Sequence, residues 1–182
     1  LSLADWSSSG DTGIAEDLCR PQFVPEASVL EIEGGRHPCV TLALRDAGSS
    51  SDFVPNDIRI GGRDSDALAS CVLLTGPNMG GKSTLLRQAC VTTLLAHLGV
   101  FVPAKSCRLS LTDRIFTRAG ASDRILAGQS TFFVELAETS TILKFATKHS
   151  LVILDELGRG TSTFDGSAIA SAVTRHLADH VG

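Results

Sequence analysis

The stretch Gly76-Pro77-Asn78-Met79-Gly80-Gly81-Lys82-Ser83 has the pattern G-x-x-x-x-G-K-[ST], which is typical of a phosphate-binding loop. The short apolar run before it, residues 71–75, predicts a buried strand, and residues 84–98 after it predict a helix. Glycines let consecutive backbone N–H groups turn inward, and the start of a helix favours an anion. The sequence therefore predicts a site for nucleotide phosphates, and the alternative is a chance glycine-rich turn.

Two side chains of this loop have direct roles in that interpretation. Lys82 would neutralise the β- and γ-phosphates and act as a catalytic residue, and the hydroxyl of Ser83 would bind Mg²⁺. The predicted nucleotide-binding residues of the loop and of the first helical turn are Gly76, Pro77, Asn78, Met79, Gly80, Gly81, Lys82, Ser83 and Thr84.

Two carboxylates follow a second apolar run, Leu151-Val152-Ile153-Leu154, which predicts another buried strand. Open parallel sheets bind their ligands at the C-terminal ends of strands. Asp155 is suited to hold Mg²⁺, directly or through water, and Glu156 is suited to accept a proton from the attacking water or to orient it. We predict Asp155 as a metal ligand and Glu156 as a catalytic residue. The alternative is a pair of acids that caps the next helix or lies in a solvated turn.

The segment after the carboxylates, residues 158–166, is rich in glycine, serine and threonine. Segments of this composition are usually surface turns, but one beside a nucleotide site is placed to meet a partner or to sense the γ-phosphate. Its Arg159 has two interpretations, a solvated side chain and a charge that stabilises the phosphates.

The composition indicates one domain with an ordinary core. The chain has 182 residues, of which 43% are hydrophobic, and a formal net charge of −4. This mild acidity argues against a major nucleic-acid or membrane surface, and the apolar runs are too short to span a membrane. Five widely spaced cysteines without a Cys-x-x-Cys pair predict reduced thiols rather than disulfides or a zinc site. We expect a soluble, intracellular protein.

The strands and helices around the motifs alternate, which predicts an α/β fold with a mostly parallel central sheet flanked by helices. Further helices are predicted at residues 129–148 and 169–181. Strands at 29–32, 39–44 and 53–60 predict a small antiparallel β portion near the N-terminus. We assign residues 1–27 to a linker or the tail of a preceding domain and residues 28–182 to one domain. Because the chain starts at Leu1 and stops directly after a helical pattern, we expect a C-terminally truncated piece of a longer protein.

From about Ser28 to Gly182, the chain resembles the ATPase domain of the MutS family of DNA mismatch-repair proteins. The matching blocks, in chain order, are Arg36-His37-Pro38, Phe53-Val54-Pro55-Asn56-Asp57, Thr75-Gly76-Pro77-Asn78-Met79-Gly80-Gly81-Lys82-Ser83, Asp113-Arg114-Ile115-Phe116-Thr117-Arg118, Gly120-Ala121-Ser122-Asp123, Ser130-Thr131-Phe132 and Asp155-Glu156-Leu157-Gly158-Arg159-Gly160-Thr161. Residues 120–125 and 130–136 look most like the mismatch-contacting subunit of the eukaryotic heterodimers in this family.

The resemblance implies a P-loop NTPase fold of the ABC-ATPase type, with ATP and Mg²⁺ bound in a composite site at a dimer interface. The loop of one subunit would hold each nucleotide, and a signature segment of the other would close over it. Here that segment is Leu126-Ala127-Gly128-Gln129-Ser130, with Gly128 and Ser130 as the contacting residues. Phe53 matches an aromatic residue that stacks on adenine, with an ordinary core residue as the equal alternative. Asn78 matches a position near the γ-phosphate.

The resemblance also implies a nuclear ATPase that couples ATP binding and hydrolysis to mismatched-DNA binding and repair signalling. Its implied partners are a second subunit of the family, in a heterodimer, and mismatched double-stranded DNA held by regions outside this segment, with no membrane partner. Two alternatives stay open. One is another ABC-type ATPase, of the chromosome-structure or transporter class, and the other is a nucleotide-binding or dimerisation module that is inactive in isolation.

The family pattern also contains a histidine switch and a helix-turn-helix dimerisation segment, which would follow the last predicted helix and are not in this sequence. His176 and His180 stand four residues apart, a spacing that also occurs in metal sites. No third ligand accompanies them, so we predict an ordinary amphipathic helix face and do not identify them with the switch.

Overall fold

A computed structural model describes residues 18–25, 27–48, 52–61, 69–77, 79–118 and 131–181 of the chain. Their elements are β1 (Leu18–Cys19), β2 (Gln22–Phe23), β3 (Val29–Gly35), α1 (Pro38–Asp46), β4 (Asn56–Gly61), α2 (Lys82–His97), β5 (Val102–Pro103), β6 (Ser106–Leu109), β7 (Ile115–Arg118), α3 (Thr131–Phe145), β8 (Leu151–Leu154), α4 (Thr163–His176) and a final π-helical turn (Leu177–Val181). The fold is therefore mixed α/β.

The described residues fall into two compact units. Unit 1 lies within Leu1–Ala69 and Leu74–Leu111, and unit 2 lies within Ser70–Leu73 and Thr112–Gly182. Each unit is described below by itself. In the described ranges, none of the helices has both the length and the apolar composition of a membrane span.

Unit 1 contains a four-stranded sheet in the order β2-β6-β3-β4 and a separate antiparallel pair, β1 and β5. Strand β3 is antiparallel to both β4 and β6, and β2 is parallel to β6. Alternate residues of β3 and β6 are buried and face each other in register, Leu30 with Leu109 and Ile32 with Cys107. This period of two places one face of the sheet in the core of the unit.

Helix α2 contributes the other part of this core. Its buried residues are Gln88, Ala89, Cys90, Thr92, Thr93, Leu95 and Ala96. Gln88 packs directly against Gly35 at the end of β3, where an added Cβ would overlap the Gln88 Nε2 atom. A side chain at position 35 would therefore displace the end of the Gln88 side chain.

Unit 2 is built around a parallel pair, β7 and β8, with Ile115 opposite Leu151 and Arg118 opposite Leu154. The buried residues of α3 are Glu135, Thr139 and Ile142, which recur at helical spacing and define its inner face. Helix α4 begins at an N-cap serine, Ser162, whose Oγ accepts a hydrogen bond from the Asp165 backbone N–H. Such a cap satisfies one of the free N–H groups at a helix start.

The predicted helix at 84–98 is confirmed as α2, and the predicted strand after residue 150 is confirmed as β8. The predicted helices at 129–148 and 169–181 correspond to α3 and to α4 with its π-helical turn. The predicted strand at 53–60 forms over Asn56–Gly61. Residues 119–130, which include the family block Gly120-Ala121-Ser122-Asp123 and the first residue of the block that starts at Ser130, lie outside the described part of the chain, as does most of the predicted linker 1–27.

Two predicted strands are wrong. Residues 71–75 form no strand, and the side chains of Val72 and Leu73 are 55% and 75% exposed. An apolar run becomes a strand only if another strand pairs with its backbone, and within the described residues none pairs with this one. Residues 39–44 belong to helix α1, because Pro38 stands at its start, where a fixed φ and a missing N–H favour a helix.

The predicted sheet type is correct only in part. Parallel pairing occurs between β7 and β8 and between β2 and β6, whereas the largest sheet of the described residues is mostly antiparallel. Of the two apolar runs expected to form parallel strands, only β8 does so. The antiparallel part near the N-terminus is therefore larger than the sequence predicts.

The five cysteines are free thiols. Burial raises the pKa of Cys90 to about 11, and burial together with the nearby Cys19 raises that of Cys107 to about 12. These two thiols therefore stay protonated and unreactive near neutral pH, as expected for packing residues.

Candidate functional site

The glycine-rich loop leads directly into helix α2. Gly81, the N-cap, has a left-handed φ of 84°, and an added Cβ there would meet no atom within 4 Å. Met79 also has a positive φ, 67°, and Gly80 donates a backbone hydrogen bond of 3.1 Å to the Pro77 carbonyl. The chain thus reverses within a few residues and enters the helix. Asn78 lies outside the described residues.

Lys82 is folded back over this loop. Its Nζ donates to the carbonyl oxygens of Gly76 and Pro77, both at 2.7 Å. Ser83 and Thr84 stand in the first turn of α2, half-buried, and no side chain caps this helix start. An ammonium group, a hydroxyl group and the positive end of a helix dipole therefore lie within four consecutive residues, 81–84, a donor set that fits nucleotide phosphates.

Phe53, the predicted adenine-stacking residue, is 8% exposed. The backbone around it is held by Asp52, which accepts from the Phe53 N–H at 2.8 Å, and by Arg36, whose Nη1 donates to the Phe53 carbonyl at 2.9 Å. This burial favours the core interpretation, since a ring that stacks on a base needs a free face.

Asp155 and Glu156 follow the C-terminal end of β8. The Asp155 N–H donates to the Arg118 carbonyl at 2.7 Å, so the β7–β8 ladder continues into this residue. Glu156 has a φ of 54°, a left-handed conformation that is uncommon for residues other than glycine. The chain therefore turns sharply at Glu156, and backbone strain of this kind is frequent at functional sites.

The Glu156 carboxylate forms an ion pair with the guanidinium group of Arg159. Both side chains are largely exposed, at 47% and 72%. Ion pairs between exposed groups contribute about 0–1 kcal/mol, so this pair is easily opened. Arg159 is thus largely solvated, as one interpretation of the sequence expected, and its guanidinium group is paired with Glu156.

The turn after Glu156 is packed closely. Gly158 has a φ of 86°, and an added Cβ would lie 2.6 Å from the Gly166 carbonyl oxygen. Its backbone N–H donates to Oε1 of Glu135, a residue of helix α3 that is 4% exposed. Two residues of unit 2 that were not predicted as site residues therefore support this region: Glu135 contacts the turn directly, and Arg118 bonds the Asp155 N–H and lies beside Glu135.

The burial of Glu135 is a property of the folded helix. It shares the spacing of Thr139 and Ile142, which form the buried face of α3, whereas the neighbouring apolar residues Leu136 and Ala137 are exposed, so apolar spacing does not identify this face. Arg118 has no signal in the sequence either, because its position at the end of a short strand is that of an ordinary surface residue.

The predicted site residues fall in different parts of the chain. The loop and Phe53 belong to unit 1, whereas Asp155 and Glu156 belong to unit 2. The signature residues Gly128 and Ser130 lie outside the described residues. The rings of His176 and His180 stack with centroids 4.9 Å apart, and across the described ranges no group of three or more His, Cys, Asp or Glu side chains is arranged for a metal ion.

Comparisons with known proteins identify the family of the chain. A family model described as MutS domain V matches residues 72–182 of the chain. The chain is 57% identical to the DNA mismatch repair protein Msh6 of Gallus gallus and 54% identical to that of Homo sapiens, in each case over 100% of the chain and 13% of the relative. It is 53% identical to the DNA mismatch repair protein MutS of Anaeromyxobacter sp. (strain Fw109-5), over 90% of the chain and 19% of the relative. The chain therefore spans about an eighth of the length of the two Msh6 relatives.

Proposed function

Because the chain belongs to the MutS family and is similar to its Msh6 members, we propose that it binds and hydrolyses ATP as part of a DNA mismatch-repair protein. The observation that carries this proposal is the position of Lys82, whose ammonium group lies over the glycine-rich loop at the start of α2. In the longer protein, this activity is coupled to mismatched-DNA binding and repair signalling.

Phosphate binding begins with the loop of residues 76–83. The two carbonyl oxygens that hold Lys82 are weak partners compared with a phosphate, because an ion pair between full charges is stronger than a bond to a neutral dipole. Lys82 exchanges these carbonyls for the β- and γ-phosphates of ATP, and the N–H groups of the loop face the same anion. Asn78 contacts the γ-phosphate, Thr84 completes the first helical turn around the phosphates, and Phe53 contacts adenine once its ring is uncovered.

Hydrolysis requires a metal and a base. Bound Mg²⁺ neutralises phosphate charge and orients the phosphates. The Ser83 hydroxyl and the Asp155 carboxylate are oxygen ligands of the type that Mg²⁺ prefers, and Asp155 is held by its backbone bond to Arg118. Glu156 takes the proton of the attacking water, and its ion pair with Arg159 opens to free the carboxylate for that step.

The remaining parts of the proposal concern the fold and the partners. We assign residues 28–182 to one P-loop NTPase domain of the ABC-ATPase type, with residues 1–27 as a linker. Gly128 and Ser130 contact the nucleotide held by a second MutS-family subunit, in a heterodimer. Mismatched DNA is bound by regions beyond this segment, and the assembly acts in the nucleus.

The proposal is tested on the full-length assembly with two variants. Glu156→Gln should lower ATP turnover at least about 100-fold, the usual weight of a general base, while nucleotide binding persists. Lys82→Ala should raise the Kd for ATP at least about tenfold, because it removes a charge-assisted contact to phosphate. Steady-state turnover and equilibrium binding of labelled ATP measure the two effects.

Matched controls are Glu138→Gln and Arg45→Ala, which remove exposed charges on α3 and α1. Both should behave as the wild type. Wild-type turnover of Glu156→Gln would rule out Glu156 as the base, and unchanged ATP affinity of Lys82→Ala would contradict the phosphate-loop assignment.

A further inference from the structure

Glu135 is a buried carboxylate with two partners on different elements. Its Oε1 accepts from the Gly158 backbone N–H, and its Oε2 lies 3.8 Å from Nη2 of Arg118. Burying a carboxylate is costly unless it is hydrogen-bonded and paired, and both conditions are met here. This charge is therefore retained inside unit 2 by specific contacts rather than by packing alone.

Arg118 links this carboxylate to the strand that carries the acids. Its carbonyl accepts from the Asp155 N–H at 2.7 Å, and its guanidinium group contacts Glu135 on one side and Glu138 on the other, the latter at 3.1 Å. The backbone of Arg118 thus holds Asp155, while its side chain approaches the residue that holds Gly158.

These contacts fix the backbone before and after Glu156. Asp155, one residue before it, is tied to Arg118, and Gly158, two residues after it, is tied to Glu135. The next turn is equally constrained, since a Cβ on Gly160 would lie 3.1 Å from the Phe132 Cα and 3.2 Å from Oε2 of Glu135. The left-handed turn at Glu156 is therefore held between two fixed points of the backbone.

We infer that Glu135 is a positioning residue for ATP hydrolysis: by holding the Gly158 N–H against helix α3, it sets the direction of the Glu156 carboxylate. This inference rests on the proposed role of Glu156 as the base. Because Glu135 is 4% exposed and its two oxygens face Gly158 and Arg118, it acts on the rate of hydrolysis and not on nucleotide affinity.

The test uses the full-length assembly and compares kcat with the Kd for a non-hydrolysable ATP analogue. Glu135→Ala should lower kcat by about 10- to 100-fold, the cost of misplacing a catalytic group, and leave the Kd unchanged. Glu135→Gln keeps an oxygen that accepts from Gly158 and should recover several-fold of the lost rate. Glu138→Gln, on the same helix and beside the same arginine but half-exposed, should keep the wild-type kcat.

A double variant separates positioning from a general structural effect. Because Glu135 acts through Glu156, Glu135→Ala added to Glu156→Gln should lower the residual rate no further. A further loss of rate, or an equal loss of rate and affinity in Glu135→Ala and Glu135→Gln, would show that Glu135 only maintains the fold. Either result would overturn the inference.

The outcomes also distinguish this inference from the proposed function. Full activity of Glu135→Ala with an inactive Glu156→Gln would contradict the positioning role alone. Full activity of Glu156→Gln would contradict the proposed base itself.

Discussion

Glu156 combines a left-handed backbone conformation with an exposed ion pair, and the free-energy cost of the first is larger than the gain from the second. A non-glycine residue in this conformation costs about 1–3 kcal/mol, whereas an exposed ion pair returns about 0–1 kcal/mol. The pair with Arg159 is therefore too weak to maintain the turn. The backbone bonds of Asp155 and Gly158 on either side of Glu156 maintain it instead.

Gly158 provides a prediction at the residue scale. Gly158→Ala should destabilise the turn by more than about 2 kcal/mol. Alanine is strained at this positive φ, and its Cβ would also lie 2.6 Å from the Gly166 carbonyl oxygen. Hydrogen exchange of the turn after β8 in the full-length protein should rise at least about 30-fold. Turnover should fall in parallel.

Gly99→Ala is the matched control, because Gly99 also has a positive φ, 75°, but an added Cβ there meets no atom within 4 Å. It should destabilise the segment after helix α2 by the backbone strain alone, about 1 kcal/mol. Equal effects of the two substitutions on their own segments would mean that the close approach of Gly158 to Gly166 is not important.

The elements differ in how well the sequence predicts them. Helix α2 and strand β8 form where the pattern places them, because apolar spacing and the flanking glycine and acidic residues are local signals. The run at residues 71–75 has the same apolar character as β8, but no strand in the described ranges pairs with it. Helix α1 contains residues 39–44, which the sequence predicts as a strand. A helix of nine residues is short enough for its apolar pattern to fit the period of a helix or of a strand.

The turn between α3 and β8 depends on one carboxylate, that of Asp113. Its Oδ1 accepts from Ser150 Oγ at 2.7 Å, and its Oδ2 accepts from Thr147 Oγ1 at 2.9 Å. Desolvation acts to raise the pKa of Asp113, but the bonds from Ser150 and Thr147, with the charge of Arg114, outweigh it and lower the pKa below its usual value.

A carboxyl pKa that is lower in the folded state than in the unfolded state stabilises the fold at neutral pH. The stabilisation by Asp113 is complete above the unfolded pKa of about 4 and is lost as the pH falls through the folded pKa. Asp113→Asn should therefore reduce the protection of residues 146–150 from hydrogen exchange at neutral pH, and acidification should change that protection less than in the wild type. Exchange rates corrected for intrinsic pH dependence provide the measurement.

Asp46→Asn, at the exposed end of α1, serves as the control and should leave this turn unchanged. If Asp113→Asn kept the full acid response of residues 146–150, another group would be responsible for it.

At the scale of the whole molecule, the described residues form two units, and the loop and the acids of the proposed site belong to different ones. The family match spans residues 72–182 and so includes residues of both units. A nucleotide that binds only the folded protein should stabilise it by mass action.

We expect ATP with Mg²⁺ to raise the melting midpoint of the full-length assembly. At a free nucleotide concentration about 100 times the Kd, binding adds about 2.7 kcal/mol. Removing Mg²⁺ with a chelator should reduce the shift, because the ion neutralises phosphate charge in the bound nucleotide. AMP, which lacks the β- and γ-phosphates, is the matched ligand control and should give little shift; an ATP shift that is insensitive to Mg²⁺ would contradict the metal assignment.

Family membership and the candidate chemistry can be predicted from the sequence alone. Lys82, Ser83, Asp155 and Glu156 lie in contiguous motifs, whose meaning depends on neighbours along the chain, and the family model matches residues 72–182, the range that contains them. The same local signals determined α2 and β8, because a periodic apolar pattern is a property of a single segment.

The contacts around these motifs can be read only from the folded chain. The bond from Gly158 to Glu135 joins residues 23 positions apart, and the burial of Phe53 and the exposure of residues 72–74 depend on what packs beside them. Strand pairing and burial are relations between distant segments, and a local pattern in one sequence contains no information about which segments meet.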